Sequence, residues 1–125
     1  MDKIKILFVC MGNICRSPAA EGILKSMAEK EKISDKLLIS SAGTIDYHSG
    51  EEPDKRMRSH AADRGYFLKS KARKFDSDKD FDKYDYIIVM DNSILSEISA
   101  LDRKKSYSGK IHKMTEYSRL IKVDE

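Results

Sequence analysis

The chain has 125 residues, 40% of them apolar and 36% charged, with a net charge of +3. That length suits one domain with a real core and leaves no room for a second, so residues 1–125 are read as a single domain. No apolar run approaches the roughly 20 residues of a membrane span, the first residues carry no secretory pattern, and interleaved lysines and aspartates read as a solvated surface rather than a nucleic-acid face; the expectation is a cytoplasmic protein with neither membrane nor nucleic-acid partner.

The first predicted element is an apolar strand over Lys5–Cys10. After a loop, Ala19, Ala20, Ile23, Leu24, Met27 and Ala28 recur at helical spacing to about Lys32, which leaves Glu21, Lys25 and Glu29 on the outer side. A second strand is predicted over Leu37–Ser41, a loop from Gly43 to Pro53, and a helix from Asp54 to Arg64 stopped by Gly65. The charged stretch Asp76–Asp85 reads as a turn or short helix ahead of a third strand at Tyr86–Met90. Asn92 or Ser93 then caps a helix through Leu101, and a turn at Ser106–Gly109 precedes a fourth short strand over Lys110–Met114. Alternating strands and helices predict an α/β fold, with a parallel sheet covered by helices on both faces. Ligands in such folds bind beyond the carboxyl ends of the strands, where the strand order reverses.

The run Cys10-Met11-Gly12-Asn13-Ile14-Cys15-Arg16-Ser17-Pro18 lies between the first strand and the first helix, and it reads as a thiolate nucleophile in a phosphate cradle. Attack on a phosphate monoester needs an ionised sulfur, and a free cysteine with a pKa of about 8.5 is mostly protonated at neutral pH. A loop that opens into a helix N-terminus turns backbone N–H groups, here those of Met11 to Arg16, toward one point. The Arg16 guanidinium can grip two phosphoryl oxygens at once. Gly12 allows the close approach that an anion-binding nest requires. Pro18 suits the first helical turn, where its missing N–H costs nothing. Ser17 is near enough in sequence to hydrogen-bond the thiolate, with helix capping as its alternative role. Asn13 belongs to a residue type that tolerates left-handed backbone, which favours a structural role over direct chemistry. Cys15 is either a small buried side chain or a partner for Cys10 in a disulfide formed after peroxide makes a sulfenic acid. Asp91 ends the third strand on the functional edge, with helix capping as the competing explanation. His48, His60 and His112 show no metal-ligand spacing, so each is read as a surface residue and neither metal nor cofactor is expected. Lys71-Ala72-Arg73-Lys74 reads as a solvated basic patch that could attract phosphorylated protein.

The string CMGNICRSPAAE resembles the signature of the low-molecular-weight protein tyrosine phosphatases. The likeness continues through Ser41-Ala42-Gly43-Thr44, Lys71-Ala72-Arg73, the Asp85–Asp91 strand and Lys110-Ile111, and so covers nearly all of the chain. The resemblance implies a four-stranded parallel sheet of order 2-1-3-4 with the phosphate loop after strand one. It implies hydrolysis of tyrosine-phosphorylated proteins or small aryl phosphates through a phosphocysteine on Cys10, and binding of inorganic phosphate or sulfate in the loop. Asn13 would brace that loop, Ser41 would hydrogen-bond Asn13, and Tyr47 would stand as an aromatic wall beside the substrate ring, unless it is simply an exposed loop residue.

In the resembled family an aspartate within Asp-Pro-Tyr protonates the leaving group, and this sequence holds no Asp-Pro dipeptide. Matching Met114–Tyr117 forward would start that loop, and the last helix, just past Glu125, so a C-terminally shortened domain is expected. Asp124 is the nearest aspartate to that position. Competing readings are a non-catalytic phosphate-binding module, an arsenate reductase, which would need further cysteines after Cys15, and a phosphoarginine phosphatase, which typically carries threonine in place of Ile14.

Overall fold

The computed structural model describes residues 2–117. In chain order it contains β1 (Ile4–Cys10), α1 (Arg16–Lys30), β2 (Leu37–Gly43), α2 (Lys55–Asp63), the short α3 (Asp80–Lys83), β3 (Tyr86–Val89), α4 (Asn92–Leu101) and β4 (Ile111–Lys113). The strands form one sheet in the order β2-β1-β3-β4. Every pairing is parallel, with Ile4 to Cys10 registered against Leu37 to Gly43, and Ile6 to Val9 against Tyr86 to Val89. The order reverses at β1, and Cys10 ends that strand.

β1 is apolar on both sides because both are covered. Leu7 and Val9 pack with Ile87 and Val89 against Ile94 and Ile98 of α4, joined by Phe75, Phe81 and Tyr84. Phe8 packs with Ile39 and Ile88 on the opposite face, where α1 contributes Ala20 and Leu24. The expectation of helices on both faces is met by α1 and α4.

Several boundaries differ from the sequence reading for local reasons. β2 continues two residues past Ser41 because Ala42 and Gly43 stay paired with Val9 and Cys10 of β1; on its other edge the Gly43 N–H donates to the Arg73 carbonyl at 2.8 Å and its carbonyl accepts from Phe75 at 2.7 Å. α1 begins at Arg16, so Ser17 and Pro18 lie in its first turn and Cys15 is the N-cap; Ser17 is therefore not the cap. Glu21 is not on the outer side of α1: it is 5% exposed and held by polar partners that helical periodicity cannot reveal. Asp91, rather than Asn92 or Ser93, caps α4, its Oδ1 accepting from Ile94 N at 2.9 Å. Lys110 closes a 3₁₀ turn over Ser108–Lys110, which shortens the last strand to Ile111–Lys113. The expected acid segment, with Asp124, falls outside the described residues.

Candidate active site

The loop after β1 is shaped by three outward bonds. The carbonyls of Cys10, Met11 and Ile14 accept from the N–H groups of Thr44 at 3.0 Å, Ile45 at 3.1 Å and Asp54 at 2.5 Å. With the carbonyls tied to the surrounding shell, the opposite edges of these peptide planes face inward, which is how a backbone nest for an anion is made. Asn13 adopts φ 58°, the left-handed region its side chain tolerates. Gly43 is required by proximity, since a Cβ there would lie 2.6 Å from Met11 O and 3.1 Å from Asn13 N.

Inside this frame a polar chain runs to the nucleophile candidate. Cys10 is 3% exposed, and its Sγ lies 3.0 Å from Ser17 Oγ. Asn13 Nδ2 donates to the same Ser17 Oγ at 2.8 Å, while Asn13 Oδ1 accepts from the Arg73 backbone N–H at 2.9 Å. Ser41 does not hydrogen-bond Asn13 as expected: its hydroxyl donates to Glu21 Oε1 at 2.5 Å, and Lys25 Nζ donates to the other oxygen of that carboxylate at 2.6 Å. The physical reason is that a buried carboxylate demands donors on both oxygens, and Ser41 supplies one of them.

Arg16 leaves the loop at the first residue of α1, its Nη1 donating to Asp91 Oδ2 at 2.8 Å. A guanidinium has five N–H donors in a planar fork, so one bond to Asp91 is compatible with a two-point grip on phosphoryl oxygens. The Ile94 N–H, then the Arg16 hydrogen bond, hold the Asp91 carboxyl below the ordinary carboxylate range. Burial first, then the neighbouring Asp54 and Cys10, push the Cys15 thiol up. Both cysteines are free.

Cys10, Cys15, Arg16, Ile14, Ile45 and His48 line a pocket of about 180 Å³. A larger hollow of about 370 Å³ opens between α1 and the Gly65–Ser70 segment, but it contains neither the sulfur nor Arg16, so size does not select the site. Met11 and Gly12 also border the smaller pocket. Tyr47 does not line this pocket; it is 83% exposed, with its ring edge-on to His48 at 5.3 Å.

His48 and Ile45 were not picked out from the sequence. His48 Nδ1 lies 2.8 Å from Glu51 Oε2, and its ring covers Gly12, where a Cβ would come within 3.1 Å of Cδ2. The one available signal was position, in the loop that follows the carboxyl end of a strand beside the switch point. Arg73 also departs from the sequence reading: it is half-buried and paired with Asp80, and does not belong to a solvated patch with Lys71 and Lys74. Among the described residues no three His, Cys, Asp or Glu side chains converge as a metal cluster, and no helix is long and apolar enough to cross a membrane.

Comparison with known proteins bears on this geometry. A family model described as "Low molecular weight phosphotyrosine protein phosphatase" matches residues 5–124. The mouse low molecular weight phosphotyrosine protein phosphatase is 37% identical over 113 residues, covering 90% of this chain and 71% of the mouse protein. The crystal structure of a protein tyrosine phosphatase from Entamoeba histolytica, with Hepes in its active site, superposes with a TM-score of 0.91 at 44% identity, covering 98% of this chain and 78% of that one. A Drosophila arginine phosphatase superposes with a TM-score of 0.83 at 34% identity, covering 91% of this chain and 73% of its own.

Proposed function

Because the chain belongs to the low molecular weight phosphotyrosine protein phosphatase family, we propose that it hydrolyses tyrosine phosphate in proteins or small aryl phosphates through a phosphocysteine on Cys10. The Cys10 thiolate attacks phosphorus, an S–P bond forms, and the P–O bond to the aryl group breaks as the phenolate takes a proton from solvent water. Water then attacks phosphorus, the S–P bond breaks, and inorganic phosphate leaves. Arg16 and the backbone N–H groups of the loop bind the phosphoryl oxygens and stabilise the charge that spreads over them in each transition state. The observation that carries this reading is the buried Cys10 sulfur at 3.0 Å from the Ser17 hydroxyl, in a pocket that Arg16 also lines.

The hydroxyl can donate to the thiolate during attack and again when sulfur leaves. Asp91 orients the guanidinium through its bond to Nη1, and the exposed Tyr47 ring, which meets the pocket residue His48, can cover a substrate ring. Two free cysteines suit a reducing cytoplasm. Ile14 lines the pocket where the resembled phosphoarginine phosphatases carry threonine, so phosphotyrosine is the proposed substrate and phosphoarginine the comparison.

The test is Cys10→Ser. Turnover of p-nitrophenyl phosphate and of a phosphotyrosine peptide is expected to fall at least about 10⁴-fold. Binding of phosphate or vanadate should persist, because the cradle is backbone plus guanidinium. Rapid quenching of the unmodified protein should trap phosphate on Cys10. Appreciable hydrolysis by the serine variant would remove Cys10 from the nucleophile role.

A further inference from the structure

Resting on the reading of Cys10 as nucleophile, we propose that half-buried Arg73 and buried Asp80 form a clasp that sets the direction of the hydrogen-bond chain aimed at the Cys10 sulfur, which makes both of them positioning residues for the reaction.

The direction of that chain is decided at its far end. An asparagine amide presents an acceptor on one side and donors on the other, and only its surroundings choose which way it faces. The Arg73 backbone N–H, at 2.9 Å, obliges Asn13 Oδ1 to face it, which turns Nδ2 to donate to Ser17 Oγ at 2.8 Å. Ser17 thus accepts from Asn13, and its own hydroxyl proton is available for the sulfur 3.0 Å away. Every donor then points toward Cys10, the arrangement that favours a negative sulfur, and successive hydrogen bonds of one direction strengthen each other. Asn13 and Ser17 are essentially inaccessible, so water does not compete for these bonds.

The clasp holds that far end. Asp80, 4% exposed, accepts from Arg73 Nη1 at 2.9 Å and Nη2 at 3.2 Å, and also from the Asp76 backbone N–H at 2.8 Å. A two-point guanidinium–carboxylate pair fixes orientation as well as distance. It closes the stretch from 73 to 80 on itself, just where the main chain of Arg73 and Phe75 pairs with Gly43 beneath the loop. The remainder of the cradle does not pass through Arg73, since its carbonyls are tied to Thr44, Ile45 and Asp54. The clasp should therefore act on the reactivity of the sulfur more than on phosphate binding. The groups that face Cys10 from other directions are Arg16, Cys15 and His48, all of which line its pocket and are unchanged in the variants below.

The experiment compares Arg73→Met, Arg73→Lys and Asp80→Asn with Asp102→Asn. Asp102 is a buried carboxylate beyond the far end of α4 that accepts from the N–H groups of Ser106 and Tyr107. Four quantities are read: kcat and KM on p-nitrophenyl phosphate, the rate of iodoacetamide alkylation at Cys10 resolved from Cys15 by mass spectrometry, and the thermal midpoint. Arg73→Met and Asp80→Asn should lower kcat and Cys10 alkylation together by about tenfold, with KM within about twofold. Arg73→Lys, which keeps a cation but loses the fork, should recover part of both. Asp102→Asn should lower the thermal midpoint and leave kcat and alkylation unchanged. Wild-type kcat and alkylation in Arg73→Met and Asp80→Asn would overturn the clasp, and so would an equal loss in Asp102→Asn. If Asp80→Asn does not fold, Arg73→Lys decides by the same two readouts, with wild-type values counting against the proposal. Failure of the unmodified protein to turn over substrate would instead remove the nucleophile, and the clasp with it.

Discussion

Against α4 the sheet presents Leu7, Val9, Ile87 and Val89, which close on Ile94 and Ile98 with aromatic rings alongside. On the α1 side fewer apolar residues are fully buried; the helix and adjoining loop bring Asn13, Ser17 and Glu21 inside instead, and β2 adds Ser41. Apolar burial is non-directional: it stabilises the fold whatever the angle of each contact. Buried polar groups cost free energy unless each finds a partner at the right angle, so they specify geometry. The side that bears on Cys10 is the one built from directional bonds. Stability should therefore respond to changes on the α4 side, and chemistry to changes around the loop.

The largest effect expected from the loop, short of removing the sulfur, is that of Arg16→Lys. An ammonium retains charge but cannot reproduce a planar two-point grip, so kcat/KM for aryl phosphates should fall about 10²–10³-fold, or roughly 3–4 kcal/mol in the transition state. Steady-state kinetics with p-nitrophenyl phosphate would read it, and near-normal values would assign Arg16 to a purely structural pairing with Asp91. The thermal midpoint should move little, since Arg16 is half exposed.

Ile98→Ala on the opposite side should invert that pattern. Ile98 is fully inaccessible within the α4 core, so truncation removes apolar contact and leaves a cavity, at a cost of about 2–5 kcal/mol. Urea denaturation would measure the loss, while kcat per folded molecule should stay within about twofold. A variant as stable as the parent but impaired in kcat would erase the division between the two sides.

Asp91→Asn sharpens the comparison at their junction, and its effect is the smallest. Asparagine is itself a good helix cap, so the substitution isolates the charge. The folded-state pKa of Asp91 is depressed by the Ile94 N–H and then by Arg16. A depressed carboxyl contributes stability that is present above its unfolded pKa of about 3.9 and is lost as pH falls through the folded value. Acidification below about pH 4 should therefore cost the parent protein more stability than the variant, by under about 1 kcal/mol for this partly exposed pair. Urea midpoints across that range would check it, and parallel curves would show that the charge contributes nothing.

Cys10, the loop through Ser17 and the start of α1 were readable because all of that chemistry lies within a few consecutive residues, where strand pattern, turn residues and Pro18 each leave a local mark. The strand–helix alternation announced a parallel sheet for the same reason, whereas the order β2-β1-β3-β4 came from family likeness and not from periodicity. Only the tertiary structure could decide what closes on that loop. Glu21 meets Ser41 across 20 residues, Asn13 meets Arg73 across 60, and Arg16 meets Asp91 across 75. No periodic signal encodes such pairings. A helical count leaves Glu21 on the outer side because it ranks positions by apolar neighbours alone, and Arg73 looks solvated because its partner, Asp80, lies in another charged run. Local sequence put a cysteine, a serine and an arginine into one loop between strand and helix; the packing of β2, the segment after α2 and α4 around β1 decided how they are aimed, since direction depends on partners that only folding brings within hydrogen-bond reach.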